Sequence, residues 1–252
     1  MNLSYLAKKY NLKINGVSHF GAHLGQEVLT YKELDIKNIH LFEPQKEIFN
    51  ILKAKFGDDQ KVFLYNIGLG SDNKHVDINL APGNNGLSAS ILDPEKHKKF
   101  YPDIKFENTE NIEIKIYDEL LIEKVNFLNI DVQGYELFAL KGSLEALKKE
   151  IDYILIEVSR EALYEDGVLI NELDIFLNNL DFIRVETKWV NRFIPWGDAL
   201  YIKKRYLKSS RISKSYLINF LEKFSIYYFL IDCIRLNKRI IARIKKMAKK
   251  FL

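Results

Sequence analysis

Long apolar runs separated by helical stretches constrain this chain most. "GVSHFGA", "IHLFEP", "VFLYNIGLG" and "HVDINLA" come in turn, then "IEIKIYDELL", "VNFLNIDVQG" and "IDYILIEVS". Helical patterns fall over residues 26–34 and 45–56, in "YELFALKGSLEALKKE" and in "INELDIFLNNL". Runs such as "VNFLNI" lack the strict apolar–polar alternation of a half-solvated strand, so they predict strands buried on both faces. Buried strands joined by helices predict an α/β fold with a mostly parallel sheet. "DFIRVETKWV" and "DALYIKK" flank a Pro-Trp-Gly turn and predict a closing β-hairpin. A hydrophobic share of 47% supplies enough core for this and argues against global disorder.

The charge is unevenly spread. Residues 205–252 hold 13 Lys and Arg against 2 Asp and Glu, a net of +11, while the rest carries −7. The chain therefore divides into a mildly acidic body, 1–204, and a basic amphipathic helical extension, 205–252. In that extension Leu217, Phe220, Leu221, Phe224, Tyr228 and Ile231 recur at helical spacing. Asn219, Glu222, Lys223 and Asp232 interrupt the pattern, so it makes a poor membrane span. A basic face opposite an apolar one suits an anionic membrane surface. Packing on the body or on another subunit, as in a homo-oligomer, is an equal reading. Nucleic acid is disfavoured, because the apolar side is long and aromatic and no RNA-binding motif is present. The N-terminus lacks the apolar core of a signal peptide and reads as a short amphipathic helix. Cys233 stands alone, which fits a reducing compartment. The expected location is cytoplasmic, with peripheral membrane attachment through the extension as the variant.

"VSHFGAHLGQE" is a strand running into a glycine turn at Gly21 and Gly25. Such turns let the backbone approach a ligand beyond the carboxyl ends of the strands. Alone the turn is weak evidence. The second strand strengthens it: "HLFEP" ends in Glu43, roughly 20 residues on, where such sheets hold ribose hydroxyls. "NIGLG" sets Asn66 at a strand end before two glycines. "NIDVQGYE" ends a buried strand in Asp131, which must sit at an exposed mouth or be paired.

"FGAHLGQE", "LFEP", "NIGLG", "GLSAS", "LNIDVQGYELFALKGSLEAL", "ILIEV" and "WGDALYIKK" in this order resemble the FkbM-type methyltransferases, from about Val17 to Lys203. "IDVQGYELFALKG" is the most specific piece. The resemblance implies a Rossmann-like class I methyltransferase fold, a seven-stranded mostly parallel sheet with a C-terminal β-hairpin. It implies S-adenosylmethionine as cofactor and O-methylation, often of sugar or polyketide hydroxyls. By position, Gly21, Ala22, His23 and Gly25, with Gln26 behind them, would line the cofactor's amino-acid end. Glu43, followed by Pro44, would bind the ribose, and Asn66 would lie near the adenosine. Asp131 and Gln133 would sit where cofactor and acceptor meet. Two residues depart from the family: His19 replaces the usual acid before the first glycine, and Gln133 replaces the usual Glu after "IDV".

Methyl transfer to an alcohol needs an aligned oxygen, exclusion of water and a base for the departing proton. Asp131 is the first choice of base, with Glu157 and His23 as rivals; Glu136 is expected to face away as its helix begins. "GNNGLSAS", with Ser88 and Ser90, either closes over the cofactor or is a plain surface loop. His19, His40, His75 and His97 show no ligand spacing, so no metal is expected. The favoured function is methylation of a sugar hydroxyl in a cell-surface or secreted glycan, as part of polysaccharide biosynthesis. A small natural product or lipid is the alternative acceptor, and a non-catalytic membrane-associated scaffold the alternative class.

Overall fold

The computed structural model describes residues 1–94, 97–122, 124–191 and 194–223. The chain divides into two compact units, Met1–Tyr206 and Leu207–Leu252. The first unit opens with helix α1 (Leu3–Tyr10), capped by the Asn2 side chain accepting from the Tyr5 N–H. Strand β1 (Gly16–Phe20), helix α2 (Val28–Glu33), strand β2 (Asn38–Phe42), helix α3 (Lys46–Phe56) and strand β3 (Val62–Tyr65) follow. Next come β4 (Gly68–Leu69), β5 (Lys74–Asn79), the short helix α4 (His97–Phe100) and β6 (Thr109–Lys115). β7 (Phe127–Ile130), α5 (Glu136–Lys141), α6 (Leu144–Lys149), β8 (Tyr153–Ser159), α7 (Ile170–Asn178), β9 (Phe182–Trp189) and β10 (Trp196–Lys203) complete it.

Seven strands form one sheet in the order β3-β2-β1-β7-β8-β10-β9. β10 runs antiparallel to both β8 and β9, and the remaining pairings are parallel. This is the Rossmann-like class I methyltransferase architecture, with the expected hairpin at its end. All five residues of β1 are buried, as its unbroken apolar run requires. The main core gathers Phe20, Phe42, Leu128, Ile154, Leu177 and Phe182.

Alternation alone misses one division. "VFLYNIGLG", read as a single strand, is two elements in different sheets. β3 stays on the main sheet, and β4 pairs with β6 in a second sheet of order β4-β6-β5. The chain leaves the main sheet at Asn66, whose amide donates to the carbonyls of Glu43 and Pro44, both at 2.9 Å. The fourth and fifth apolar runs thus build a small separate sheet around Ile78, Ile112 and Ile114. A strand's own pattern carries no information about which sheet it joins.

The turn between α5 and α6 meets the small sheet through a glycine. A Cβ on Gly142, between α5 and α6, would lie 1.9 Å from the Gly70 carbonyl oxygen beyond β4. Gly142 itself has ordinary helical angles, so the requirement is one of space. The second unit is described through α8 (Ser209–Lys223). The rest of the predicted basic extension, Cys233 included, lies outside the described residues. Among the described residues no helix is long and apolar enough to cross a membrane.

Gly142→Ala is expected to cost about 1–3 kcal/mol through forced backbone displacement, read as a lower urea midpoint. An unchanged midpoint would show that this contact yields freely.

Candidate functional site

The carboxyl ends of β1, β2 and β7 converge on the glycine turn. The Gly21 and Ala22 N–H groups both donate to the Phe42 carbonyl, at 3.0 and 2.9 Å. Gly21 takes φ +78°, and a Cβ there would come within 1.9 Å of the Asp131 carbonyl oxygen. Only glycine permits this approach. Gly25 serves a different purpose: a Cβ on it would strike Phe56 and Leu52, so it lets α3 pack close.

Above these ends lies a cleft walled by both sheets. Gly21, His23, Glu43, Pro44, Asp131 and Gln133 line it, joining six of the residues expected from sequence. Ala22, Gly25, Gln26, Asn66 and the candidate base Glu157 stand outside its lining. Ala22 is buried in the turn, and Asn66 spends its amide on the β2 end. Sequence reasoning missed the apolar wall, which includes Ile67, Leu69, Ile78 and Tyr135. The small sheet supplies part of it, and no local signal shows that this sheet folds back over the first.

Glu43 is 2% exposed. Its two oxygens accept the N–H groups of His23 (2.9 Å) and Gln45 (2.8 Å). Each oxygen keeps further acceptor capacity. Burial outweighs these bonds and pushes the carboxyl up to about 7. An adenosyl group fits here: apolar walls for the base, and a carboxylate with spare lone pairs for a ribose diol.

His23 sits at φ +47°, a conformation uncommon outside glycine. Its Nε2 lies 2.7 Å from the Asn85 carbonyl, and its Nδ1 lies 3.0 Å from the Gln26 amide nitrogen. The ring therefore ties the glycine turn to "GNNGLSAS", with both nitrogens engaged. That loop forms a wall of the cleft through Gly86, Leu87, Ala89 and Ser90. The Ser90 hydroxyl donates to the Gln133 carbonyl at 2.7 Å, while the Ser88 hydroxyl accepts from Asn84.

His19 points elsewhere. It is 3% exposed, and its ring lies 3.2 Å from both the Tyr31 hydroxyl and the Asn129 amide nitrogen. Burial drops its pKa to about 3, so it is a neutral core residue. It is absent from the cleft lining.

Asp131 and Gln133 form the cleft's rim, and Glu157 is joined to it from behind through Gln133. The Gln133 amide nitrogen donates to Asp131 Oδ1 (2.7 Å) and Glu157 Oε2 (3.1 Å), and its oxygen accepts from the Tyr164 hydroxyl (2.8 Å). Asp131 is exposed at the rim, yet close-packed protein around its carboxyl, with Asp198 and Glu27, lifts it to about 6. Burial and then the charge of Asp131 push Glu157 well above the usual carboxylate range. A glutamate at position 133 would add a third negative charge here; glutamine bridges the two acids instead. Glu136 does not face away. It is 3% exposed and accepts the N–H groups of Val132 (3.3 Å) and Gly134 (3.0 Å), capping the turn. The helix begins so close to the strand end that its first side chain folds back.

The fold has known counterparts. The FkbM methyltransferase of Methylobacillus flagellatus KT has 15% identity and a TM-score of 0.52, over 75% of this chain and 43% of that one. This chain thus spans under half the length of that protein. A magnesium protoporphyrin IX methyltransferase of Synechocystis PCC 6803, solved with bound S-adenosylmethionine, has 8% identity and a TM-score of 0.48, covering 80% and 76%. No curated protein matches the sequence. The model of the FkbM methyltransferase domain matches residues 19–184, well over half of the chain. The converging strand ends, the glycine turn and the buried acid after β2 all lie within that match, and the chain belongs to the FkbM methyltransferase family, with S-adenosylmethionine as its cofactor.

Proposed function

We propose that residues 1–204 transfer a methyl group to a sugar hydroxyl of a cell-surface or secreted glycan. The observation that carries the transfer is Asp131. It lines the cleft at the end of β7, and its pKa near 6 leaves it ionised at neutral pH yet a stronger base than a free aspartate. Bound S-adenosylmethionine supplies a methyl group already activated on a sulfonium. The chain then has to hold an alcohol in line, shed water and accept one proton. Asp131 takes the proton at Oδ2, since Oδ1 accepts from Gln133. Burial and the charge of Asp131 push the Glu157 carboxyl up, which disfavours a second full charge beside Asp131. Glu43 binds the ribose, and the His23 latch keeps the 82–91 loop over the site. Gly21 brings the backbone close to the cofactor's amino-acid end. His23, with both ring nitrogens engaged, is the weakest candidate base.

The basic extension, 205–252, supports attachment to an anionic membrane surface, where lipid-linked glycans are built. In α8, Tyr216, Leu217 and Phe220 are exposed on the same helix as Arg211 and Lys214.

Asp131→Asn is expected to lower the rate of methyl transfer by roughly 10²–10⁴-fold, with binding of S-adenosylhomocysteine retained. Full activity in that variant, with acceptor hydroxyls supplied as a panel of glycosides, would remove Asp131 from the chemistry.

Affinity for S-adenosylhomocysteine should also depend on pH. Ribose hydroxyls donate to a carboxylate, so binding favours ionised Glu43 and releases its proton. With a pKa of about 7, the ionised fraction rises by about tenfold between pH 6 and pH 8, and affinity should rise with it. Calorimetry should show that gain in the native protein and a flat profile in Glu43→Gln. A flat native profile would separate Glu43 from the ribose.

A further inference from the structure

A groove opens at the other end of the main sheet from the cofactor cleft. Lys148 of α6, Asn179 and Asp181 before β9, Lys203 at the end of β10, and Lys204 and Arg205 just beyond it are among its walls, around ≈ 510 Å³ of space. β10 runs antiparallel to β8, so its last residues lie beside the start of β8, where Ile202 pairs with Tyr153. The cofactor cleft sits beyond the opposite ends of the parallel strands, one strand length or roughly 20 Å away.

Four of these wall residues are cationic, and Asp181 alone among them is acidic. Lys203 stands apart from the rest. It is 5% exposed. Its Nζ donates to the Lys148 carbonyl at 2.8 Å and lies 5.3 Å from the centre of the Phe182 ring. Among the described residues no carboxylate forms an ion pair with it. Buried charges are ordinarily paired, and an ammonium has three donors, of which the carbonyl uses one. Burial and then the charge of Arg205 lower the pKa of Lys203, so a counter-charge in the groove would stabilise it. The other cations are already engaged, but at exchangeable contacts. Lys148 pairs with Glu145 and Lys204 with Asp181, both at the surface, where such pairs contribute little. Arg205 pairs with Asp152 and keeps further guanidinium donors.

We propose that this groove binds the phosphate of an anionic lipid headgroup. The proposal rests on the membrane attachment read from the basic extension and gives it a defined site in the folded body. Phosphate suits the donors, since a Lys ammonium meets it as a point charge and Arg as a fork. The chain itself favours a lipid surface over a free phosphate. Only Tyr206 separates Arg205 from the second unit, which begins at Leu207, and residues 205–252 carry a net charge of +11. Positive charge therefore continues along the chain from the groove into the extension. A single soluble phosphate would use neither that charge nor the exposed Tyr216, Leu217 and Phe220 of α8. An occupied groove leaves the cofactor cleft, one strand length off, open to its acceptor.

Full-length protein is sedimented with vesicles of phosphatidylcholine, alone or mixed with phosphatidylglycerol, and titrated calorimetrically with glycerol phosphate. The expected result is binding to the mixed vesicles, lowered about five- to tenfold by Lys203→Met and by Lys204→Glu. Unchanged binding of S-adenosylhomocysteine reports an intact fold in each variant. Lys204→Glu, at the rim, carries the test if Lys203→Met does not fold. Vesicle binding that survives both substitutions would overturn the groove and leave the extension as the attachment. Equal binding to phosphatidylcholine alone would overturn the proposal as well. A native protein that ignores both kinds of vesicle, yet binds glycerol phosphate in a way that Lys204→Glu abolishes, would overturn the lipid headgroup and the membrane reading together. A free phosphate would then be the occupant.

Discussion

The close contact of Gly21 with the Asp131 backbone is the constraint on which the site depends. Two parallel strands, β1 and β7, end side by side, and the turn after β1 must pass directly over the end of its neighbour. The Asp131 N–H donates to the Phe20 carbonyl at 3.0 Å, so β7 follows β1 to its last residue. A side chain at Gly21 would have to occupy the space of the Asp131 carbonyl. With glycine there, the turn lies flat, Glu43 can reach the His23 N–H, and Asp131 emerges at the rim. The cleft floor, the buried acid and the candidate base follow from one missing methyl group.

Electrostatics at the rim follow from the same convergence. Strand ends bring Asp131 and Glu157 together, and Glu136 closes the turn behind them. Like charges this close in partly desolvated surroundings push one another's pKa up. Gln133 meets this by donating to two acids with one amide and accepting from Tyr164 with its oxygen. The departure from the family at this position therefore preserves a connected rim. His19 is a different case, because it left the rim altogether and joined Tyr31 and Asn129 in the core.

Much of the main sheet was legible in the residues. The runs "GVSHF", "NIHLF", "FLNI" and "YILIEVS" are apolar without alternation because both faces are covered, and each is a central or near-central strand. The small sheet was legible as strands and illegible as a sheet. "KHVDIN" and "TENIEIK" pair with each other because the chain turns away at Asn66, and that turn depends on carbonyls more than 20 residues earlier. Glu136 shows the same limit: helical periodicity does not reveal that a first-turn side chain will bend back to cap the preceding turn.

Sequence by itself determined the order of the elements, the acids after β2 and β7, and the positions where only glycine fits. These are local properties, since burial pattern, turn chemistry and backbone freedom are set by a residue and its near neighbours. Tertiary structure decided which of those residues share a cleft. It drew His23 to the 82–91 loop, Gly25 to α3 and Asn66 to the end of β2, and it set Glu157 beside Gln133. The physical reason is that a cleft is made by contacts between distant segments, whose distances come from packing two sheets together and from nothing written in either segment alone.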